Sequence, residues 1–269
     1  MKGFLNAVVY GFCALSCSGM LHAEPEKEIS FLARADAPQA TGLHFFLSYA
    51  RSGTNLTSCY LQYLTQKPIK FLFDESTFLA ENRLRTPLDY TKPVLYRTHF
   101  PKDLTRINPQ KNKLLYILRN CKESILRHNY QMFESPEEYR DLFKKNHVIV
   151  REYMEALQLY DKWAPSMRLL VHYEDLLTDP MTVVKQILEF FDEPVPENLT
   201  PELLKEISDK TLASYNKQHK AISGGSHSKG QDLLYHTKNL PPHILQDIDV
   251  FLQTNYPILW QNYLYRYKS

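Results

Sequence analysis

The 269-residue chain lacks most of the features that reveal a function early. It carries no excess of either charge. Its 32 Lys and Arg stand against 30 Asp and Glu, a formal net charge of +2. That excludes a broad electrostatic footprint for nucleic acid, so any anion site has to come from local clustering. Cysteine is scarce: of the 4 present, Cys13 and Cys17 lie close to the N-terminus, and a Cys59–Cys121 bridge would not make a disulfide scaffold. There is no Cys-x-x-Cys, no His-Glu-x-x-His and no other spacing suited to a metal, and the 10 His are scattered. The familiar glycine loops for nucleotides, GxxxxGK[ST] and GxGxxG, are missing too. Internal repeats and low-complexity tracts are absent. What remains is an ordinary globular composition, 43 % hydrophobic and 13 % aromatic. The length suits one good-sized α/β domain, or at most two small ones.

Residues 1–23 read as a signal peptide. Lys2 supplies the positive start, Phe4 to Leu21 is apolar and small, and Ala23 precedes the charged run Glu24-Pro25-Glu26-Lys27-Glu28. A membrane-anchoring helix suits the stretch less well, because Asn6, Ser16, Ser18 and Gly19 interrupt it. Lipoprotein processing at Cys17 would place Ala14 at a position it fills poorly. The expectation is export to a secreted, periplasmic or luminal location, with no membrane span in the mature chain. Residues 24–41, charged or small with Pro25 and Pro38, read as a linker or N-terminal arm, and residues 42–269 as the folded domain.

Within that domain, short apolar runs alternate with helical periodicity. Leu43–Leu47, Ile69–Phe73, Pro93–Thr98, Lys113–Leu118 and Arg168–His172 read as strands. Glu123–Phe133, Pro136–Trp163, Pro180–Phe191, Pro201–Ile207 and Pro241–Leu252 carry helical spacing, and residues 74–92 read as a polar loop. Such alternation predicts a single α/β domain with a central parallel sheet flanked by helices. In that architecture ligands sit at the carboxyl ends of strands. Arg51, His99 and Arg119 all fall at those ends.

The most informative stretch is Leu43 to Leu64, LHFFLSYARSGTNLTSCYLQYL. An apolar strand runs into Arg51-Ser52-Gly53-Thr54-Asn55, and a helix pattern (Leu56, Tyr60, Leu61, Leu64) follows at once. A helix start aims free N–H groups and a positive dipole end at an anion. Gly53 allows close backbone approach, Ser52 and Thr54 add hydroxyl donors, and Arg51 adds a fork of donors suited to phosphate or sulfate oxygens. The segment alone fits equally well an ordinary strand–turn–helix with Thr54 or Asn55 as N-cap. Asn55-Leu56-Thr57 is formally a glycosylation sequon, discounted because Asn55 would be buried in the loop.

Taken with three downstream segments, this loop resembles the 5′-phosphosulfate loop of the sulfotransferase family in its bacterial, Arg-Ser-Gly-Thr form. Val94–Pro101 (VLYRTHFP) resembles the segment that bears the family's base, with His99 at the base position and Arg97 at the usual Lys. Leu114–Phe133 resembles the 3′-phosphate segment, with Arg119-Asn120 matching, Cys121 in place of Pro, and Arg127 in place of the usual Ser. Met167–Asp192 is similar to the family's Tyr-Glu-Asp signature, here Tyr173-Glu174-Asp175, with Asp179 and Pro180 starting a helix. Lys229-Gly230 stands where the C-terminal cofactor loop should lie, without the Gly-Asp-Trp that usually follows, and Leu56 replaces the adenine-stacking Trp of many members.

The resemblance, spanning roughly residues 43–265, implies a P-loop-like fold. It implies 3′-phosphoadenosine 5′-phosphosulfate as co-substrate with no metal, and a hydroxyl- or amine-bearing acceptor (small molecule, glycan or protein). It assigns His99 as base, with Arg51 and Arg97 stabilising charge at the transfer. Backbone groups of Ser52, Gly53, Thr54 and Asn55 would hold the 5′-phosphate, and Arg119, Arg127, Lys229 and Gly230 the rest of the nucleotide. Two alternatives stay open: an exported, non-catalytic relic that binds nucleotide or sulfated glycan, and a nucleotide-dependent phosphotransferase, which should carry a Walker Lys and an acidic Mg²⁺ ligand.

Overall fold

In a computed structural model of the chain, residues 41–72, 77–78, 88–92, 95–129, 133–223 and 236–269 are described. The signal peptide, nearly all of the 24–41 arm and the Lys229-Gly230 pair lie outside them. Strands β1 (His44–Ser48), β2 (Ile69–Phe71), β3 (Thr77–Phe78), β4 (Leu95–Thr98), β5 (Lys113–Leu118) and β6 (Arg168–His172) form one sheet in the order β3-β2-β4-β1-β5-β6. All pairings are parallel except β2 with β3. The central parallel sheet is as expected. The antiparallel edge strand β3 falls inside the region read as a loop; two residues are too few to leave a periodic signal.

The sheet's middle is apolar on both faces, which is why its strands read as continuous hydrophobic runs. On one face Phe45, Leu47, Leu114, Tyr116 and Leu118 pack against helices α2 (Cys121–Asn129), α3 (Pro136–Lys144), α4 (Val148–Lys162) and α8 (Pro242–Asn255). On the other, Phe46, Leu95, Leu115, Ile117 and Val171 meet α1 (Thr54–Thr65), α6 (Pro180–Phe190) and α7 (Pro201–Ser223). A short helix α5 (Tyr173–Thr178) follows β6 directly. Among the described residues no helix is long and apolar enough to cross a membrane.

Two helical runs differ from the sequence reading by more than a few residues. The run Pro136–Trp163 is two helices, broken where Asn146 takes a left-handed conformation at φ 45°. Asn tolerates that region, and Tyr256 Oη donates to its Oδ1 at 2.7 Å, fixing the corner. Helix α7 runs well past Ile207, because no proline or glycine stops it before Gly224. The helix start at Pro180 is as read, with Asp179 accepting from Thr182 N–H at 3.2 Å.

Cys59 and Cys121 form no disulfide and are buried in the two apolar layers, on opposite faces of the sheet. Burial pushes the Cys121 thiol up to about 12, so it is inert as well as hidden. Maleimide treatment of the folded protein, followed by peptide mapping, should therefore leave both residues unlabelled until denaturant is added. Labelling of either under native conditions would contradict this packing.

Candidate functional site

Strands β4, β1 and β5 are neighbours, in register such that Leu47 pairs with Thr98 and Ser48 with Ile117. Their carboxyl ends deliver His99, the 49–55 loop and Arg119 to one edge of the sheet. The chain crosses from the β4 side of β1 to the β5 side here, and in sheets of this type ligands bind at strand ends where successive connections diverge.

The loop after β1 is shaped by two left-handed residues, Arg51 at φ 67° and Gly53 at φ 89°. Left-handed residues this close together turn successive N–H groups toward one concavity, the geometry that holds anions. Ser52 N–H donates to the Tyr49 carbonyl at 3.2 Å, closing the turn. Gly53, not Thr54 or Asn55, is the N-cap of α1. It has no side chain to satisfy the first-turn N–H groups, and no acidic residue sits in that turn. The first turn therefore keeps its donors and its positive end for a ligand.

Gly53 is required twice over. Its positive φ disfavours any side chain, and a Cβ would stand 2.5 Å from Tyr173 Cε2 and closer still to Cδ2. Tyr173 thus forms the floor of the loop. Its ring also lies 4.7 Å from the Arg119 guanidinium, and Arg119 Nη1 donates to the Arg51 carbonyl at 2.9 Å. Arg119 is itself held by Tyr153 Oη, which donates to its carbonyl. The loop, Arg119 and Tyr173 form one packed unit.

The loop hydroxyls do a different job from the one expected of them. Ser48 Oγ and Thr54 Oγ1 lie 2.6 Å apart, and Ser52 Oγ lies 3.3 Å from Ser124 Oγ on α2. Ser52 and Ser48 are fully buried. These groups staple the loop to its strand and to α2, and the anion-facing donors are left to the backbone. Asn55 is likewise engaged, accepting from Arg97 Nη2 at 3.3 Å.

Arg97 is buried beside the first turn of α1. It donates to Ser58 Oγ at 3.0 Å and lies 4.3 Å from the Phe71 ring. His99 Nδ1 lies 2.8 Å from the Ser48 carbonyl oxygen. A carbonyl only accepts, so Nδ1 carries the proton and Nε2 presents its lone pair. Burial, and then the Arg97 cation, lower the His99 pKa to about 4. The imidazole is therefore neutral, in its base form, across the physiological range.

Arg127 is neither a solvated charge nor an open cation. Its Nε donates to Glu123 Oε1 at 2.6 Å, and the two side chains are 10 % and 0 % exposed. Glu123 also accepts from the N–H of His236 and from Thr237 N–H and Oγ1, the last two at 2.9 Å. This anchors the residue that follows segment 224–235 to α2, close to Arg119. Leu56 packs into the apolar layer with α6. The constellation thus joins Arg51, Ser52, Gly53, Thr54, Asn55, Arg97, His99 and Arg119 at one sheet edge. Sequence reasoning missed Tyr173 as floor, Ser124 as staple and Glu123 as anchor. An aromatic after β6 was the signal available for the first; the other two leave none.

Comparison with known proteins agrees with this picture. A family model described as "Sulfotransferase domain" matches residues 44–254. The chain is 26 % identical over 123 residues to rat (Rattus norvegicus) "Sulfotransferase 1 family member D1", covering 42 % of each chain. It is 25 % identical over 142 residues to rat "Sulfotransferase 1A1", covering 48 % of each. The matches thus span less than half the length of these curated relatives. Among solved structures, mouse sulfotransferase SULT7A1 complexed with PAP aligns with TM-score 0.56 at 17 % identity, covering 90 % of this chain and 94 % of that one. Retinol dehydratase in a complex with retinol and PAP aligns with TM-score 0.58 at 13 % identity, covering 82 % of each. At such identities these two likenesses concern the fold.

Replacing Gly53 with Ala should destabilise the protein by about 1–3 kcal/mol, through positive φ and the clash with Tyr173. Urea unfolding of Gly53→Ala checks this. Stability equal to the parent would show that the loop does not sit against Tyr173 as described.

Proposed function

We propose that this chain, which belongs to the sulfotransferase family, is an enzyme that moves a sulfuryl group from 3′-phosphoadenosine 5′-phosphosulfate to a hydroxyl or amine. The observation that carries the proposal is the convergence, at the ends of three adjacent parallel strands, of a base-form imidazole, an uncapped helix start and three arginines, Arg51, Arg97 and Arg119. That set supplies proton removal and anion stabilisation at one place, which is what in-line transfer of a charged group requires.

In this reading the acceptor's lone pair forms the new bond to sulfur as the bond from sulfur to the bridging oxygen of the 5′-phosphate breaks. His99 Nε2 takes the acceptor's proton. The electron pair of the broken bond leaves on adenosine 3′,5′-bisphosphate. Arg51 and the N–H groups of Ser52 to Asn55 stabilise the charge that builds on the leaving phosphate. Arg97 adds positive potential from beside the first turn of α1, and it also keeps His99 deprotonated. Arg119 holds the 3′-phosphate from its stacked position on Tyr173. Arg127 contributes charge from its pair with Glu123, and Lys229 and Gly230 complete the nucleotide loop. The two fold relatives complexed with PAP support the choice of nucleotide.

The imidazole's low pKa gives the pH dependence a definite sign. A base whose pKa is lowered to about 4 is active above that value and lost as pH falls through it. Bound nucleotide brings negative charge close to His99, which favours imidazolium and raises the pKa. The acid limb of kcat should therefore lie at higher pH than the acid limb of kcat/KM for the nucleotide. Coincident limbs would argue against His99 as the base.

Replacing His99 with Ala should lower kcat by about 10²–10⁴-fold, with bisphosphate affinity within about twofold of the parent. Single-turnover transfer of labelled sulfate from the nucleotide to a phenol or amine reads the first quantity. Full turnover in His99→Ala would remove the mechanism.

A further inference from the structure

The described chain ends on the nucleotide edge of the sheet, far in sequence from the residues it touches. Tyr267 Oη donates to Glu174 Oε2 at 2.7 Å. With its proton committed there, it accepts from His172 Nδ1–H at 2.8 Å. The same Glu174 accepts from Asn120 N–H at 3.3 Å through Oε1. Lys122, buried, donates to the Tyr267 carbonyl and to Ser269 Oγ, each at 2.8 Å, and to Asp249 Oδ1 at 2.5 Å. Asp249 in turn accepts from Ser269 N–H at 2.7 Å. Beside this set, Arg266 forks onto Asp175, with one contact of 2.7 Å.

The positions of these partners in the chain matter. Tyr173, the floor of Gly53, lies between His172 and Glu174, and a single phenol hydroxyl holds both. Arg119, which stacks on Tyr173 and donates to the Arg51 carbonyl, immediately precedes Asn120, which Glu174 also holds. Lys122 fixes the same turn from its other side. A buried cation with three oxygen partners is costly to loosen, since any lost partner leaves charge or dipole unpaired. The tail therefore braces the backbone at both residues that shape the anion loop from below.

We infer that residues 266–269, through Tyr267 above all, are positioning residues for the nucleotide, setting Tyr173 and Arg119 against the loop. The inference rests on the sulfotransferase reading, because adenosine 3′,5′-bisphosphate is the ligand whose affinity it concerns. The tail touches neither His99 nor its Ser48 partner, so the step at sulfur is outside its reach.

Calorimetric titration with adenosine 3′,5′-bisphosphate, paired with steady-state kinetics, tests this on the full chain. Tyr267→Phe keeps the ring and removes the hydroxyl. It should weaken bisphosphate binding roughly five- to tenfold, and raise the nucleotide KM alike, with kcat at saturation within about twofold. Glu174→Gln, isosteric, serves as second variant should the first not fold, and should weaken binding by about two- to fivefold. Trp163→Phe is the control: it removes a buried donor 2.6 Å from the Asn112 carbonyl at the opposite end of β5. It should lower stability and leave bisphosphate affinity unchanged. Parent-like affinity in both Tyr267→Phe and Glu174→Gln overturns the inference and leaves the functional reading intact. So does a loss in Trp163→Phe equal to that in Tyr267→Phe, since affinity would then follow global stability. A fall in kcat with unchanged KM overturns it as well. No binding by the parent protein removes the functional reading, and this inference with it.

Discussion

The close approach of Gly53 to the Tyr173 ring is the constraint on which the site turns. It leaves no room for a Cβ, so the loop after β1 must be glycine at that point. Glycine there leaves α1 without a side-chain cap and its first-turn donors unspent. The ring that imposes the constraint also carries the Arg119 guanidinium, which reaches back to the loop's own carbonyl. Backbone strain at Arg51 is thus held in place by packing. Preorganisation of this kind lets donors meet an anion without reorganising when it arrives.

Charge is arranged by the same economy. Arg97, Arg119 and Arg127 are each tied to groups of the protein itself: Arg97 to Ser58 and Asn55, Arg119 to Arg51 and Tyr173, Arg127 to Glu123. Burial is the first reason the imidazole of His99 stays neutral, and the positive charge of Arg97, with a smaller part from Arg51, adds to it. A base kept deprotonated by burial and neighbouring cations, whose pKa an anionic substrate then raises, gains its basicity only once that substrate is in place.

Much of this was legible in the sequence, for identifiable reasons. β5 and β6 were read with the bounds they have because they are apolar on both faces and end at polar residues. The loop after β1 was legible because its residue types (arginine, serine, glycine, threonine) each serve anion binding. What could not be read arises from contacts distant in sequence. Neither the cap at Gly53 nor the inward turn of the Ser52 and Thr54 hydroxyls follows from spacing, since both depend on Tyr173, Ser124 and Ser48 arriving in space. The pairing of Arg127 with Glu123 could not be read either, since nothing in the sequence marks Glu123, one turn earlier, as buried. The break at Asn146 is a single left-handed residue inside an otherwise helical pattern.

A crystal structure of the protein with adenosine 3′,5′-bisphosphate tests the central claim most directly. The 5′-phosphate is expected over the N–H groups of Ser52 to Asn55 at the start of α1, the 3′-phosphate beside Arg119, and His99 Nε2 facing the side from which an acceptor would approach. A nucleotide seated elsewhere, or a 5′-phosphate that makes no contact with the first turn of α1, would contradict it.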